Sequence, residues 1–364
     1  MADQYRLKNQ NEETLNLKVD KERAELVFGR LLDSFFRKEY PFNLPKAKAP
    51  QVMENLRDLF VLGSREHACF LFALCYWMRG GIDSQTATKQ LAQLYRNNPE
   101  MFLPEKVYKF QRQMILPGLE RRFAPIFLSS EFKAIGLGFN VEEIADIWVE
   151  NWLRIKDLWA GDPRDIFKGV STYEEACKRV QNKSKRGFHG FQEKMVSMLI
   201  YFYMDADILD RWHFPIPVDF HVLRIVFSNC IIVAKPAESN GNGFYTKSVL
   251  MSVRKLCQNY CVKHNVDPLH LCEAIWLYSR LMCNQHPGNQ SVVGGRHGRK
   301  TELLPVSRWS LAQIRNYSNT CAICSINDTC KWCIPSAEYY IRGKLVLREE
   351  RGSPPQLNFF LSST

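Results

Sequence analysis

The stretch from 187 to 225 constrains the fold more than any other part of the sequence. It predicts a glycine-rich turn, a long apolar helix, a connector stiffened by prolines, and then a second helix. Lys194 lies at the start of the first predicted helix and Asp219 at the start of the second. Backbone N–H groups are unpaired at a helix start and the helix dipole is positive there, so a charged side chain at either position affects its surroundings strongly.

Apolar residues recur at helical spacing along most of the chain, whereas the alternation typical of strands is scarce. Trp148, Trp152 and Trp159 fall on one helical face, where core packing is the expected role and stacking on bases is the alternative. With 364 residues, of which 46% are hydrophobic, the chain can bury a substantial core. The sequence therefore predicts an all-α protein.

Basic residues outnumber acidic ones, 49 to 38, which gives a net charge of +11 and favours a polyanionic partner such as nucleic acid. The longest apolar run, 68–78, is too short to cross a bilayer, and the first twenty residues lack an apolar core. We therefore expect an intracellular protein without a membrane partner, acting as a monomer, either with the nucleoid or in a nucleus.

The turn from 187 to 192 is a candidate DNA-binding hairpin. Its glycines allow the positive φ angles of a tight turn and a close approach of the backbone to another surface. Backbone amides that open outward at a helix start form an anion site, and DNA phosphate is the natural anion for a basic protein. An ordinary turn between helices is the alternative. The residues predicted to contact DNA are Gly187, His189, Gly190 and Gln192.

Lys194 and Asp219 are the candidate catalytic residues. The positive end of the helix dipole disfavours an ammonium group at Lys194 and so favours the neutral amine, a nucleophile able to form a Schiff base. Asp219 is expected to cap its helix, and its carboxylate could also stabilise positive charge on a sugar ring. A solvated surface lysine and a purely structural cap are the alternatives.

Four cysteines occur within thirteen residues near the end of the sequence: Cys321, Cys324, Cys330 and Cys333. Thiolates this close together in an intracellular protein favour one soft metal centre, either zinc or an iron–sulfur cluster. Cys333 would complete a zinc site of the CxxC…CxxC kind.

The run 190–195, followed downstream by the Pro-Val-Asp motif at 217–219, resembles the helix-hairpin-helix DNA glycosylase superfamily. Within it, the lysine-bearing, bifunctional branch of endonuclease III and the 8-oxoguanine glycosylases is the most similar. The resemblance implies an all-α fold with a cleft between two helical subdomains. It also implies that Lys194 attacks C1′ of a flipped nucleotide and that Asp219 activates the reaction. Gln192 stands where the family hairpin carries a second glycine.

The same resemblance implies a [4Fe–4S] cluster at the cysteine loop. In the family a first cysteine ends a helix and a C-x2-C-x5-C run follows, which matches Cys321, Cys324 and Cys330. Cys283, after a predicted helix, then becomes the fourth ligand, with Cys333 as the alternative ligand and zinc as the alternative metal. Residues 284–320 lie between them and are interpreted as a basic, Gly-rich insertion.

Taken together, these features predict a DNA glycosylase with AP-lyase activity, acting on double-stranded DNA that carries a damaged or modified base. A monofunctional glycosylase, in which Asp219 directs a water, and a non-catalytic DNA-binding module are the alternatives. Trp212 and His213 are candidate base-pocket residues, and the sequence does not specify the base. The predicted segments are an N-terminal helical region (1–105), a glycosylase core (106–283), the insertion (284–320), a Cys-rich metal loop (321–340) and a tail (341–364).

Overall fold

The structure is a computed structural model, and it confirms that the protein is mostly helical with almost no strand. No helix among the described residues is both long and apolar enough to cross a membrane. The described residues are 17–45, 47–49, 54–78, 82, 84–106, 123–138, 140–181, 187–234, 247–283, 292–293, 300–301 and 310–330.

The helices are α1 (Lys21–Phe36), α2 (Glu54–Arg57), α3 (Arg65–Trp77), α4 (Ser84–Asn97), α5 (Phe123–Ala134), α6 (Val141–Leu158), α7 (Tyr173–Val180), α8 (Glu193–Asp205), α9 (Phe220–Ser228), α10 (Lys247–His264), α11 (Pro268–Leu281) and α12 (Leu311–Ser318). Short 3₁₀ helices cover Pro99–Phe102, Pro163–Phe167 and Cys321–Ile323. The strands form two antiparallel pairs, β1 (Leu17–Val19) with β2 (Ile232–Ala234) and β3 (Val292–Val293) with β4 (Lys300–Thr301).

The chain divides into two compact units, and each is discontinuous in sequence. The first unit contains Met1–Leu44, Val218–Leu256 and Ala274–Thr364, and the second contains Pro45–Pro217 and Cys257–Glu273. The predicted segments 1–105 and 106–283 therefore each contribute to both units. Packing between distant parts of the sequence decides this division; β1, for example, pairs with a strand more than 200 residues away, Leu17 facing Ala234.

The core of the second unit is aromatic. Every described residue of α3 from His67 to Trp77 is buried, and α3 packs along α8. Trp148 and Trp152 of α6 are completely buried, with their ring centroids 5.8 Å apart. The Trp148 indole N–H donates to the carbonyl of Met101 at 3.1 Å. These two tryptophans are therefore packing residues, as the helical spacing predicts.

In the first unit, α1 buries Val27, Phe28 and Leu31 completely. Asp20 caps this helix by accepting a hydrogen bond from the Arg23 N–H at 2.9 Å. Its own N–H donates to the carbonyl of Ile231 at 2.8 Å, next to the β1–β2 pair. The start of α1 is thus tied to residues more than 200 positions later, in the segment that follows α9.

Candidate functional site

The predicted hairpin is a turn that leads into α8 and is anchored by two buried rings. Gly190 has a φ of +84°, a conformation that glycine adopts without strain. Phe188 and Phe191 are buried, and their ring centroids lie 4.9 and 5.1 Å from that of Phe72 in α3. The two phenylalanines therefore hold the turn on the core.

Asn151 of α6 holds the backbone of the hairpin directly. Its side-chain amide donates to the carbonyl of His189 at 2.9 Å, and its carbonyl oxygen accepts from the N–H of His189 at 2.8 Å. Asn151 is completely buried, so these bonds are shielded from water. The backbone N–H and carbonyl of His189 are thus both hydrogen-bonded within the protein.

Two charged residues of α6 surround the His189 ring. Nε2 of His189 lies 2.7 Å from the Arg154 Nη2 and 2.7 Å from the Glu150 Oε2. Arg154 also donates to the carbonyl of Gly187. Burial lowers the pKa of Arg154, and the Glu150 carboxylate acts in the opposite direction. Sequence reasoning missed Asn151, Glu150 and Arg154; the available signal was a polar residue, Asn151, on the buried face between Trp148 and Trp152.

The backbone N–H groups that follow His189 differ from its own N–H in their hydrogen bonding. Among the described residues, nothing accepts a hydrogen bond from the N–H of Gly190, Phe191 or Gln192. Gln192 is the N-cap of α8, and its side chain makes no capping bond. The start of α8 therefore presents consecutive unpaired donors, the arrangement that binds anions at helix termini.

Lys194 is half-buried in the first turn of α8, as the sequence predicts. The fully buried thiol of Cys75, on α3, donates to the carbonyl of Met195 at 3.2 Å. Burial raises the pKa of Cys75, and the nearby charge of Lys194 opposes this. No carboxylate in the described part of the chain forms an ion pair with Lys194. Its amine therefore lies within electrostatic range of the Cys75 thiol, and no described carboxylate holds it as a counter-ion.

Asp219 caps α9, which confirms its predicted position. Its Oδ1 accepts from the N–H groups of His221 at 2.9 Å and Val222 at 3.1 Å. Within the described ranges, Oδ2 accepts no hydrogen bond. The side chain is half-buried, so one carboxylate oxygen is fixed by the cap while the other can interact with a ligand.

A buried polar group lies on the same helix as Asp219. Arg224 is buried and donates to the carbonyl of Ser279 at 3.3 Å, and the Ser279 hydroxyl lies 3.1 Å from Nδ1 of His221. Burial lowers the pKa of Arg224, whereas the charges of Cys283 and Asp219 raise it. The charge of Arg224 in α9 is therefore influenced both by Cys283, a predicted cluster ligand, and by Asp219, a predicted catalytic residue.

The predicted cluster ligands lie in one region of the first unit. Cys283 follows the end of α11, Cys321 begins the 3₁₀ turn, and the N–H of Cys330 donates to the carbonyl of Ile326 at 3.0 Å. Burial raises the pKa of Cys283, the charge of Arg224 lowers it, and the charges of Cys324, Cys330 and Cys321 raise it. Thiols separated by residues 284–320 are thus close enough to influence one another's ionisation.

In the described part of the chain, no three His, Cys, Asp or Glu side chains meet as a group that could hold a metal ion. A charge affects the pKa of a thiol over distances longer than a metal–ligand bond. Thiols too far apart to bind one metal ion can therefore still affect one another's pKa. Four thiols are the donor set of a [4Fe–4S] cluster and also of a structural zinc site, so the donor chemistry fits both metal centres. Cys333 lies outside the described residues.

Side chains from three helices hold the cysteine loop. Arg30 of α1 donates to Asp328 at 2.5 Å, and the Thr329 hydroxyl donates to the side chain of Asn229 at 2.7 Å. Tyr278 of α11 donates to the Sγ of Cys324 at 3.1 Å. These partners are 46 to 298 positions apart in sequence, and no local motif marks them.

The remaining predicted residues differ in exposure. Trp212 is half-buried, and no described residue accepts a hydrogen bond from its indole N–H, whereas His213 is exposed. The segment 284–320 is not wholly a loop, because it contains β3, β4 and α12; its basic stretch from 294 to 299 lies outside the described residues. The tail, 341–364, also lies outside them.

No protein-family model matches this chain, and neither does any curated protein or solved structure.

Proposed function

We propose that this chain is a helix-hairpin-helix DNA glycosylase with AP-lyase activity. The observation that carries the proposal is the setting of Lys194: a half-buried amine in the first turn of α8, without a carboxylate partner among the described residues. Within the described ranges, the three amides just before its helix, those of Gly190, Phe191 and Gln192, are unpaired, whereas the amide of His189 is bonded to Asn151. A nucleophilic amine benefits from the absence of a counter-ion, because an ion pair stabilises the ammonium form.

DNA binding is assigned to the hairpin and to the overall positive charge. The N–H groups of Gly190, Phe191 and Gln192 are available to a phosphate, and the imidazole of His189 lies on the same turn. Phosphate contacts and a net charge of +11 give affinity that is independent of sequence and falls as salt rises. Asn151 and Arg154 have a supporting role, because they hold the turn in position.

The proposed chemistry needs a base that is rotated out of the duplex. The Lys194 amine attacks C1′ while the C1′–N bond breaks, and the departing base takes the bond's electron pair and a proton. Opening of the sugar ring gives a Schiff base between Lys194 and C1′. Loss of a 2′ proton then expels the 3′ phosphate by β-elimination. The Asp219 carboxylate supplies negative charge when positive charge develops on the sugar.

The cluster is proposed to be structural. Cys283, Cys321, Cys324 and Cys330 would hold it, and its positive core would offset part of the charge of their thiolates and would order the loop around them. Base excision transfers no electrons, so none of the steps above needs it.

Borohydride trapping on DNA with an abasic site tests the proposal. We expect a covalent adduct with the wild-type protein and none with Lys194→Gln, because borohydride reduces only the Schiff base. Lys178→Gln is the matched control, since it removes an exposed lysine from α7. Duplexes that each carry one lesion identify the base by its release.

The alternatives give different results in the same assay. Base release without trapping, abolished by Asp219→Asn, contradicts the lyase and supports the monofunctional enzyme. DNA binding without release or trapping supports a non-catalytic module.

A further inference from the structure

Tyr278 is a completely buried side chain of α11 whose hydroxyl meets the cysteine loop at three points. It lies 3.1 Å from the Sγ of Cys324 and 3.0 Å from the Oγ of Ser325. The backbone N–H of Ser325 donates to it at 2.9 Å. One hydroxyl can donate once and accept twice, so these three contacts use its full capacity.

The direction of each bond follows from that capacity. The Ser325 N–H can only donate, so the phenol oxygen accepts it. The phenol proton then goes either to Cys324 or to the hydroxyl of Ser325. A metal-bound cysteine is a thiolate, and a charged acceptor forms the stronger hydrogen bond. With Cys324 in that state, the phenol donates to sulfur and the Ser325 hydroxyl donates to the phenol oxygen, which satisfies all the groups.

The hydrogen bond between Tyr278 and Cys324 joins two parts of the chain that are distant in sequence. The helix that contains Tyr278 ends two residues before Cys283, while Cys324 is 46 residues further along the sequence than Tyr278. One rigid ring thus connects the helix that precedes one candidate ligand with the loop that carries the other three. The ring has little freedom to move, because it is fully buried and lies 5.9 Å, centroid to centroid, from the ring of Phe42.

We propose that Tyr278 is a positioning residue for the cysteine site: it holds Cys324 in place for the cluster and raises the cluster's reduction potential by donating to its sulfur. This inference rests on the cluster assigned under the proposed function. Hydrogen bonds to cysteine sulfur stabilise the more negative, reduced state of a cluster, and partners of ligands commonly change metal affinity 10- to 100-fold, so roughly tenfold effects are expected here.

The test compares Tyr278→Phe with Tyr203→Phe in the full-length protein purified without oxygen. Tyr203 is also completely buried, and its hydroxyl donates to the carbonyl of Ala68 at 3.1 Å, far in sequence from Cys283 and from the loop 321–330. Both changes remove one buried hydroxyl. We expect Tyr278→Phe to release iron to a chelator about tenfold faster and to have a lower reduction potential than the wild type. Tyr203→Phe is expected to keep both wild-type values.

Each outcome has a separate meaning. A wild-type protein that binds no iron overturns the cluster assignment and this inference with it, but leaves borohydride trapping at Lys194 as an independent result. Bound iron with equal potentials and release rates in both variants overturns the role of Tyr278 alone. If Tyr278→Phe does not fold, replacement of Tyr278 by 3-fluorotyrosine keeps the hydroxyl and makes it a stronger donor. A higher potential then supports the inference, and an unchanged or lower one contradicts it.

Discussion

The hairpin before Lys194 and the loop from Cys321 to Cys330 are both short and irregular, but they are held in opposite ways. The hairpin is fixed from its buried side, by the rings of Phe188 and Phe191 and by the fully buried Asn151. The cysteine loop is instead held by hydrogen bonds from single side chains of three distant helices, and its own candidate ligands are thiols that disfavour one another's ionisation.

This difference leads to a prediction about which region depends on the proposed metal centre. The contacts that fix the hairpin backbone satisfy its buried polar groups, so the protein alone can maintain that turn. In the cysteine loop, burial, followed by the charge of Cys324, raises the pKa of Cys321 to about 12. The thiolate form there needs a positive partner, and a metal centre supplies one. We therefore expect the cysteine loop, but not the hairpin, to lose order when the metal is removed.

The largest expected effect tests that statement directly. Cys324→Ala removes one proposed ligand, and we expect loss of nearly all bound iron, because structural metal binding is coupled to folding of its loop. Hydrogen exchange should then increase at 321–330 while protection at 187–205 is unchanged. Cys177→Ala, which removes a half-exposed thiol of α7, is the control. Equal loss of protection in both regions would show that the hairpin also depends on the metal.

The next effect is confined to the hairpin. Asn151→Ala leaves the N–H and the carbonyl of His189 buried without partners, which we expect to lower the free energy of unfolding by about 3 kcal/mol. DNA affinity should fall and iron content should stay at the wild-type level. Asn98→Ala, which removes a half-exposed amide bonded to Glu131, is the control for unfolding measured in urea. Iron loss in Asn151→Ala would contradict the independence of the two regions.

We expect the free energy of unfolding to depend on pH through Glu273, which lies in the second unit together with the hairpin. Burial, and next the charge of Asp205, raises the pKa of Glu273 from its ordinary 4.5 to about 7. A raised carboxyl pKa means that stability is fully present below pH 4.5 and is lost as pH rises through about 7. Glu273→Gln should thus raise the free energy of unfolding by about 1–3 kcal/mol at pH 8 and leave it unchanged at pH 4.

Thermal unfolding of Glu273→Gln and wild type across this range measures the difference. Glu174→Gln changes an exposed carboxylate of α7 and should follow the wild type at each pH. An equal gain for Glu273→Gln at pH 4 and pH 8 would show that packing, and not ionisation, is responsible.

The smallest effect concerns the edge of the cysteine loop. The ion pair between Arg30 and Asp328 is largely exposed, so Arg30→Ala should reduce the free energy of unfolding by only about 0.5 kcal/mol. Exchange of the amides at 325–328 should nevertheless become faster, because Arg30 contacts both Ser325 and Asp328. Arg37→Ala, in an exposed pair with Glu39, is the control. A loss of several kcal/mol would mean that this pair stabilises the whole unit.

Much of the local structure follows from the sequence. The helical character, the tryptophan core, the cap at Asp219 and the position of Lys194 in a first turn all depend on spacings within a few residues. The sequence does not reveal Asn151 as the support of the hairpin or Tyr278 as the partner of Cys324, because each of these contacts joins residues that are 38 or 46 positions apart. Nor does it indicate that each unit combines early and late parts of the chain.

The sequence by itself determined which residue types stand at helix starts, because helix formation and capping depend on neighbouring residues. It also showed that four cysteines lie within thirteen residues of one another. Tertiary structure alone decided which groups remain unpaired. No described group accepts from the N–H groups of Gly190, Phe191 and Gln192, whereas the N–H of His189 donates to the side chain of Asn151 in α6. It also brought Cys283 within electrostatic range of the later cysteines, since burial and proximity depend on the packing of helices that are distant in sequence.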